Sequence, residues 1–346
     1  MTSVMALAAG EGSRFRPHTS KVPKPALPFL NVPMAFYSLA ALSETNPTRL
    51  VVNAFHLEQQ IRDLFRSMDE KSHSINEVHV RSDGAKILGS AGGLKNCQNL
   101  FLGEENIILF NADEVFLPAY YGQFEKFLEF HQREKNLASL MVMEHPEVGS
   151  KFGGVWADDK KTVQDIGMAT TKGPLAGYHF IGLSILSRRI FDFIPEGAEQ
   201  NIFYDTLKPL LHEGQVKIFP FEGAWYETGN LKSYLKATEA CLQHMKSNDA
   251  AGKHLERVLS QFSPQTELFE TEGGGLLLST KSIYHQTENT GSKVSHFAVI
   301  DPIHHLLEAC KFDRAVLGPG FRLHELGPDA LQGRTPSRVF ENNLYL

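Results

Sequence analysis

Short apolar runs alternate with stretches of helical periodicity along most of the chain. Val4-Met5-Ala6-Leu7, Leu50-Val51-Val52-Asn53, Val78-His79-Val80 and Ile107-Ile108-Leu109-Phe110 have the length and apolar content of buried strands. Between them, Met34 to Leu42 predicts a helix, and so does Leu57 to Phe65, with Ile61, Leu64 and Phe65 on one face. After Pro118, the residues Tyr120, Phe124, Phe127, Leu128 and His131 mark the core-facing stripe of another helix. From about residue 137 the pattern is richer in strands, read over Ala138 to Met143 and Phe180 to Leu186, with turns at Gly153-Gly154 and Gly173-Pro174. Helices are expected over Tyr204 to His212 and Leu231 to Met245. Alternation of this kind predicts an α/β sheet with helices on both faces.

The pattern then changes. Ser247 to Gly252 is small and polar and reads as a linker. Leu255, Val258, Leu259 and Phe262 follow at the spacing of a short amphipathic helix. Farther on, Ile300, Leu306, Phe312, Leu317 and Leu323 recur about every six residues, with Gly318-Pro319-Gly320 between the last two. Such recurrence predicts a short, degenerate parallel β-helix, the plainer alternative being irregular strands packed on the preceding domain. The expected organisation is an α/β domain over residues 1–246, a linker and short helix over 247–265, and a β-rich domain over 266–346.

Composition narrows the function classes. The chain has 346 residues, 42% of them hydrophobic and 21% charged, which is ordinary for a globular protein. Its net charge of -6 and its lack of a Lys/Arg block argue against nucleic acid as a partner, while a local phosphate pocket stays compatible. Cys97, Cys241 and Cys310 lie far apart, as reduced thiols of a cytoplasmic protein would, and not at disulfide or zinc spacing. The apolar N-terminus lacks the basic region of a signal peptide, and no apolar run reaches membrane-spanning length. None of the 15 histidines falls in a metal-binding spacing, and His304-His305 reads as surface or turn.

The candidate chemistry is concentrated in Leu7 to Pro28, LAAGEGSRFRPHTSKVPKPALP. A strand runs into Gly10 and Gly12, whose missing Cβ lets backbone N–H groups approach phosphate oxygens. Arg14 adds a planar fork for phosphate, and Lys24, bracketed by Pro23 and Pro25, a compact charge held by a stiff backbone. A P-loop is excluded because no Lys-Ser or Lys-Thr follows these glycines, and a dinucleotide fingerprint because Phe15 stands where its third glycine would be. A carboxylate, Asp113, follows the strand Ile107 to Phe110, at the strand end where parallel sheets bind ligands.

The whole string resembles the signature L-A-A-G-x-G-x-R-x-x-P-x-[ST]-x-x-x-P-K-P-x-x-P of sugar-1-phosphate nucleotidylyltransferases. Leu88-Gly89-Ser90-Ala91-Gly92-Gly93-Leu94 resembles the base-binding loop of the mannose-1-phosphate guanylyltransferase-like branch. The resemblance implies a Rossmann-like mixed sheet of the nucleotide-diphospho-sugar transferase type, with a left-handed β-helix-like tail of the kind that usually mediates oligomer contact. It implies the reaction of a nucleoside triphosphate with a sugar 1-phosphate to give an NDP-sugar and pyrophosphate, with Mg²⁺ as cofactor. Leu7, Ala8, Ala9, Gly10 and Gly12, with Ser90, Ala91, Gly92 and Gly93, are then expected to bind the nucleotide. Arg14 is expected on the β- and γ-phosphates, and Lys24 on the α-phosphate or the incoming sugar phosphate. Asp113 and Glu227 become the Mg²⁺ ligands, although Glu227 stands where the family's W-x-D-x-G-T has aspartate and Asn230 where it has threonine. On the sugar side the usual Glu-Lys pair is missing, so Lys172 is the substitute cation, with Gly153 and Gly182 leaving room for hydroxyls. The expected substrates are GTP with mannose 1-phosphate or a related hexose or heptose. The rivals are a uridylyltransferase acting on an amino-sugar 1-phosphate and a weakly catalytic NDP-sugar-binding regulator.

Overall fold

The computed structural model describes residues 3–69, 75–170, 172–302, 304, 306, 309–319 and 321–325. They form two compact units. One comprises Met1–Glu11, Pro23–Pro25 and Tyr37–Trp225, the other Gly12–Val22, Ala26–Phe36 and Tyr226–Leu346. The boundary thus falls between Trp225 and Tyr226, earlier than the break expected near residue 246, and two segments from the first forty residues join the second unit.

The first unit is built on a nine-stranded mixed sheet. Ser3–Leu7 lies parallel between Arg49–Ala54 and Asn106–Asn111, and Glu77–Ser82 pairs parallel with Arg49–Ala54. Ala176–Ser187 runs antiparallel to Asn106–Asn111 and pairs in turn with Ala138–Met143 and Gly154–Ala157. Met5, Val51, Leu109 and Leu140 are fully or almost fully buried in the core of this sheet. Near-continuous apolar strands of this kind are what a sheet covered on both faces requires. The predicted strands are all present, and the helices Met34–Leu42, Glu58–Asp69 and Gln123–Glu134 lie close to their expected places. Tyr120 falls outside its helix, which starts only after Gly122 in the left-handed conformation (φ 88°).

Three expectations are corrected here. The helix read over Tyr204 to His212 is broken into a π-helical segment Ile202–Leu207, one α-turn Lys208–Leu210 and a 3-10 turn Leu211–Glu213. Pro209 lacks the N–H that a continuous helix would use. Gly154 opens a strand instead of closing a turn, and it pairs with Gly167 of Val163–Gly167 in a hairpin too short for periodicity to reveal. In the second unit, the linker expected at Ser247 to Gly252 is a two-residue corner. Leu231–Ser247 ends at Asn248 (φ 51°), and the Asp249 side chain accepts the Gly252 N–H at 2.9 Å to start Ala250–Phe262. A Cβ on Gly252 would lie 2.2 Å from the His244 carbonyl oxygen, so the two helices meet almost backbone to backbone. Gly252→Val is expected to destabilise this unit by about 2–3 kcal/mol through overpacking. A lower thermal midpoint would show it, whereas a flexible linker would leave the midpoint unchanged.

Tyr234 anchors the second unit. Its ring packs edge-on to Phe15, Phe29 and Phe321 at 5.7, 5.4 and 5.6 Å, and its hydroxyl donates to the Pro28 carbonyl. A C-terminal sheet is present, in the order Glu267–Glu270, Leu276–Ser279, Lys293–Ile300, Lys311–Gly318, Phe321–Glu325. Its three central strands are parallel, as stacked coils would be, but the outer pairs are antiparallel and the helix Lys281–Thr290 joins two of the parallel strands. The six-residue recurrence falls on the last three strands of this sheet and the segment between Lys293–Ile300 and Lys311–Gly318, with Ile300, Leu306, Phe312 and Leu317 in one buried cluster. His305, Gly320 and residues 326–346 lie outside the described residues.

His131 makes the first unit acid-sensitive. Burial, with the Arg189 charge adding to it, pushes its imidazole down to about 4, and its nitrogens meet Ser139 Oγ at 2.9 Å and Asn106 Oδ1 at 3.1 Å. The unfolded chain takes up a proton near the ordinary pKa of about 6.5, whereas the folded chain does so only near 4. The stabilisation from the neutral ring is complete above 6.5 and is lost as pH falls from 6.5 to 4, by up to about 3 kcal/mol. The urea midpoint is expected to drop between pH 7.5 and 5, and to drop less in His131→Gln. An equal drop in both proteins would contradict this.

Candidate functional site

The strand register brings the first candidates together. Leu7 lies opposite both Asn53 and Asn111, so three neighbouring parallel strands end at one level. Open α/β sheets bind ligands at that end. The Ala8 N–H donates to Asn53 Oδ1 at 3.0 Å, and the Ala112 N–H donates to the Leu7 carbonyl at 3.1 Å. Asn53 Nδ2 donates to Asp83 Oδ1 at 3.3 Å, and Asp83 Oδ2 accepts the Leu88 N–H at 3.2 Å. Asn53 and Asp83 thereby tie the first glycine loop to the segment that begins at Leu88. Burial raises the Asp83 pKa against these hydrogen bonds. Sequence reasoning passed over both residues, although each stands at or just beyond a parallel strand's end, as Asp113 does.

Lys24 and Asp113 are in direct contact. Lys24 Nζ donates to Asp113 Oδ2 at 2.6 Å, with the lysine side chain 9% and the aspartate 34% exposed. Glu114, next in the chain, is pushed up to about 7 by burial first and then by the Asp113 charge, with the Lys24 charge opposing. Its Oε2 accepts the Trp225 indole N–H at 2.9 Å, and its Oε1 the Asn111 amide at 3.5 Å. Gly182 adopts φ 86°, and a Cβ there would lie 2.5 Å from Glu114 Cγ. The room left at Gly182 is therefore taken by Glu114.

In the second unit, Gly12 is left-handed (φ 59°), and its carbonyl accepts both the Phe15 N–H and the Thr19 hydroxyl. Arg14 is 71% exposed with a guanidinium nitrogen 3.8 Å from Glu227 Oε1, a surface pair of small net strength. A Cβ on Gly229 would lie 2.9 Å from that nitrogen, so Gly229 admits the guanidinium. Ser233 Oγ donates to Glu227 Oε2 at 3.4 Å. Asn230 caps Leu231–Ser247 by accepting the Ser233 N–H at 3.0 Å, which gives this departure from the family string a structural role. Asp113 and Glu227 each have a cationic neighbour within their own unit.

Ser90 to Gly93 lies on a helix, Gly89–Asn96, and not on a loop. The Gln200 carbonyl accepts the Ala91 N–H at 2.9 Å, and Ser90 Oγ accepts the Ile202 N–H at 2.8 Å. A Cβ on Gly92 would lie 2.3 Å from the Ala198 carbonyl, and one on Gly93 2.5 Å from Asn53 Nδ2. Close packing within the protein thus takes up the space on the Cβ side of Gly92 and Gly93. Of the residues expected at the sugar, Lys172 donates from Nζ to the Gln164 carbonyl at 2.8 Å, and Gly153 faces the Tyr204 hydroxyl. Lys208, which sequence reasoning missed, donates to the Ile166 carbonyl at 2.6 Å and lies 3.3 Å from Asp165. It brings an ammonium group to the segment that lacks the Glu-Lys pair, from more than forty residues farther along the chain, where local spacing carries no signal.

A family model described as nucleotidyl transferase matches residues 3–244. The UTP--glucose-1-phosphate uridylyltransferase of Synechocystis sp. is 28% identical over 258 residues, covering 70% of this chain and 64% of that protein. Mannose-1-phosphate guanyltransferase 2 of Candida glabrata is 28% identical over 240 residues, covering 69% and 64%. The chain therefore spans a little under two thirds of the length of these relatives. Among solved structures, HddC from Yersinia pseudotuberculosis superposes with a TM-score of 0.55 at 23% identity, covering 69% of this chain and 99% of that one. That likeness concerns the fold. Among the described residues, no helix is long and apolar enough to cross a membrane.

Proposed function

As the chain belongs to the nucleotidyl transferase family, we propose that it is a sugar-1-phosphate nucleotidylyltransferase. An oxygen of the sugar phosphate attacks the α-phosphorus of a nucleoside triphosphate, the bond to the β-phosphate oxygen breaks, and pyrophosphate leaves. The nucleophile is already an anion, so no protein base is needed. The demand on the protein is positioning and charge neutralisation. Two unit charges 4 Å apart repel by about 1 kcal/mol in water and about 4 kcal/mol at an effective dielectric near 20, and several such pairs meet here.

The observation that carries this reading is the Lys24–Asp113 pair at 2.6 Å, at the ligand-binding end of the parallel strands. It sets a nearly buried ammonium and a carboxylate side by side, one for phosphate and one for a divalent cation. Asp113 and Glu227 offer carboxylate oxygens, the donor type that Mg²⁺ takes. Mg²⁺ commonly takes one or two carboxylates and completes its shell with phosphate oxygens and water. Asp113 is the first such carboxylate and Glu227 the second, and the ion, when bound, supplies charge neutralisation on the phosphates. Arg14 and the backbone of Gly10 and Gly12 hold the β- and γ-phosphates, and Leu7 to Ala9 with Ser90 to Gly93 frame the nucleoside. Lys172 and Gly153 stay with the sugar, joined there by Lys208.

For the substrates we read GTP with mannose 1-phosphate or a related hexose or heptose, supported by the Leu88 to Leu94 string and by guanyltransferases among the relatives. Single-turnover assays with each nucleotide separate this from the uridylyl reading, which a clear UTP preference would establish. Binding of an NDP-sugar without pyrophosphate release from any nucleotide would establish the regulator reading. A cytoplasmic setting and a homo-oligomer contact through the C-terminal sheet complete the proposal.

A further inference from the structure

Gly12–Val22, Ala26–Phe36 and the C-terminal sheet lie in one compact unit. Regular structure in Gly12–Val22 amounts to two 3-10 turns, Ser13–Phe15 and His18–Ser20. Turns this short close few hydrogen bonds of their own and depend on packing for their place. Two rings of the segment are buried, and both find partners far along the chain. Phe15 packs edge-on against Tyr234 at 5.7 Å, and His18 edge-on against Phe321 at 4.9 Å. Tyr234 and Phe321 are 5.6 Å apart, so the four rings run from the signature segment to the strand Phe321–Glu325 and back. Gly318, the register partner of Phe321, seats the same end of the sheet on Pro28: a Cβ there would lie 2.3 Å from Pro28 Cγ. The Asn31 amide donates to the Ile300 carbonyl at 3.1 Å. Three strands of the C-terminal sheet thus meet the N-terminal segments at His18, Pro28 and Asn31. Arg14 directly precedes Phe15 and is exposed, so its position follows from where Phe15 and His18 are held.

We propose that Phe321 is a positioning residue for nucleotide binding: its ring and the Gly318 backbone seat the C-terminal sheet on His18 and Pro28, and so fix the segment that carries Gly12 and Arg14. This rests on the nucleotidyl-transfer reading, in which Gly12 and Arg14 hold the β- and γ-phosphates. It gives the sheet a part in that binding besides any contact between copies of the chain. Linkage requires the converse, that a nucleotide bound at the segment steadies the sheet. The effect belongs to binding and not to the chemical step, because Phe321 offers no charge to the transition state.

Phe321→Ala removes the ring beside His18, whereas Gly318→Ala drives a methyl group against Pro28 and leaves every ring in place. Calorimetric titration with GTP and with UTP identifies the nucleotide that the parent protein binds more tightly. Each variant is expected to raise the Kd of that nucleotide about tenfold, with kcat at saturating substrates and KM for the sugar phosphate within about threefold of the parent. Arg14→Ala raises the same Kd and serves as the control. Hydrogen exchange on the parent protein needs no variant to fold. Bound nucleotide is expected to slow exchange in Gly12–Val22 and also in the strand Lys311–Gly318. Slowing confined to Gly12–Val22 overturns the inference. So does a folded Phe321→Ala or Gly318→Ala protein that keeps its nucleotide Kd while Arg14→Ala loses affinity. Both of these results leave the nucleotidyl-transfer reading standing, whereas a parent protein that binds neither nucleotide overturns the two together.

Discussion

Asp113→Asn is expected to lower kcat by about a thousandfold, equivalent to roughly 4 kcal/mol of transition-state stabilisation. The substitution keeps shape and volume and leaves an oxygen to accept from Lys24, so the strand end Asn106–Asn111 and its pairing with Ser3–Leu7 should survive. What it removes is a negative charge, on which both a hard divalent cation and the Lys24 ammonium depend. Activity at saturating substrates and a range of Mg²⁺ concentrations checks this, alongside a thermal midpoint close to that of the parent. A variant that stays within tenfold of the parent would show that Asp113 is a strand-end polar residue and no more.

Lys24→Ala is expected to lower kcat by about 10²–10³-fold, the usual cost of removing one preorganised charge from a reacting phosphorus centre. KM for the nucleotide should move much less, because the interaction strengthens as charge develops in the transition state. In the structure the ammonium is nearly buried and neutralises Asp113 at 2.6 Å. The alanine variant therefore also leaves a carboxylate without that cation beside the incoming phosphates, where it repels them. Lys24→Arg should restore little activity, since a wider planar fork does not fit a site built around a compact ammonium. Steady-state kinetics varying each substrate in turn distinguishes the outcomes. An unchanged kcat in Lys24→Ala would refute the assigned role.

The sheet was legible because burial on both faces leaves near-continuous apolar strands such as Leu50-Val51-Val52, which admit few other readings. Gly10, Gly12, Arg14 and Lys24 could be read as one candidate group because they are local in sequence. The rest depends on contacts far apart in the chain. Asn53 and Asp83 matter through a hydrogen-bond chain from Ala8 to Leu88, and Lys208 through its approach to Asp165. No spacing rule joins such residues. Gly252 looked like a linker residue because glycine marks flexibility and close packing alike. Only the 2.2 Å approach of the His244 carbonyl decides for packing. The glycines of Ser90 to Gly93 carried the same ambiguity: a Cβ would meet the Ala198 carbonyl at Gly92 and the Asn53 amide at Gly93, contacts that no local spacing shows. Six-residue recurrence in the tail marked buried positions, Ile300, Leu306, Phe312 and Leu317 among them, but period alone does not show the helix Lys281–Thr290 or the antiparallel outer strand pairs.

The central claim is tested most directly by pyrophosphate release across a matrix of nucleoside triphosphates and sugar 1-phosphates, with identification of the nucleotide sugar formed. The account predicts release that requires Mg²⁺ and a sugar 1-phosphate together, with the highest rate for GTP and mannose 1-phosphate or a related hexose or heptose. Failure of every pair to release pyrophosphate, from protein that binds an NDP-sugar, would contradict it.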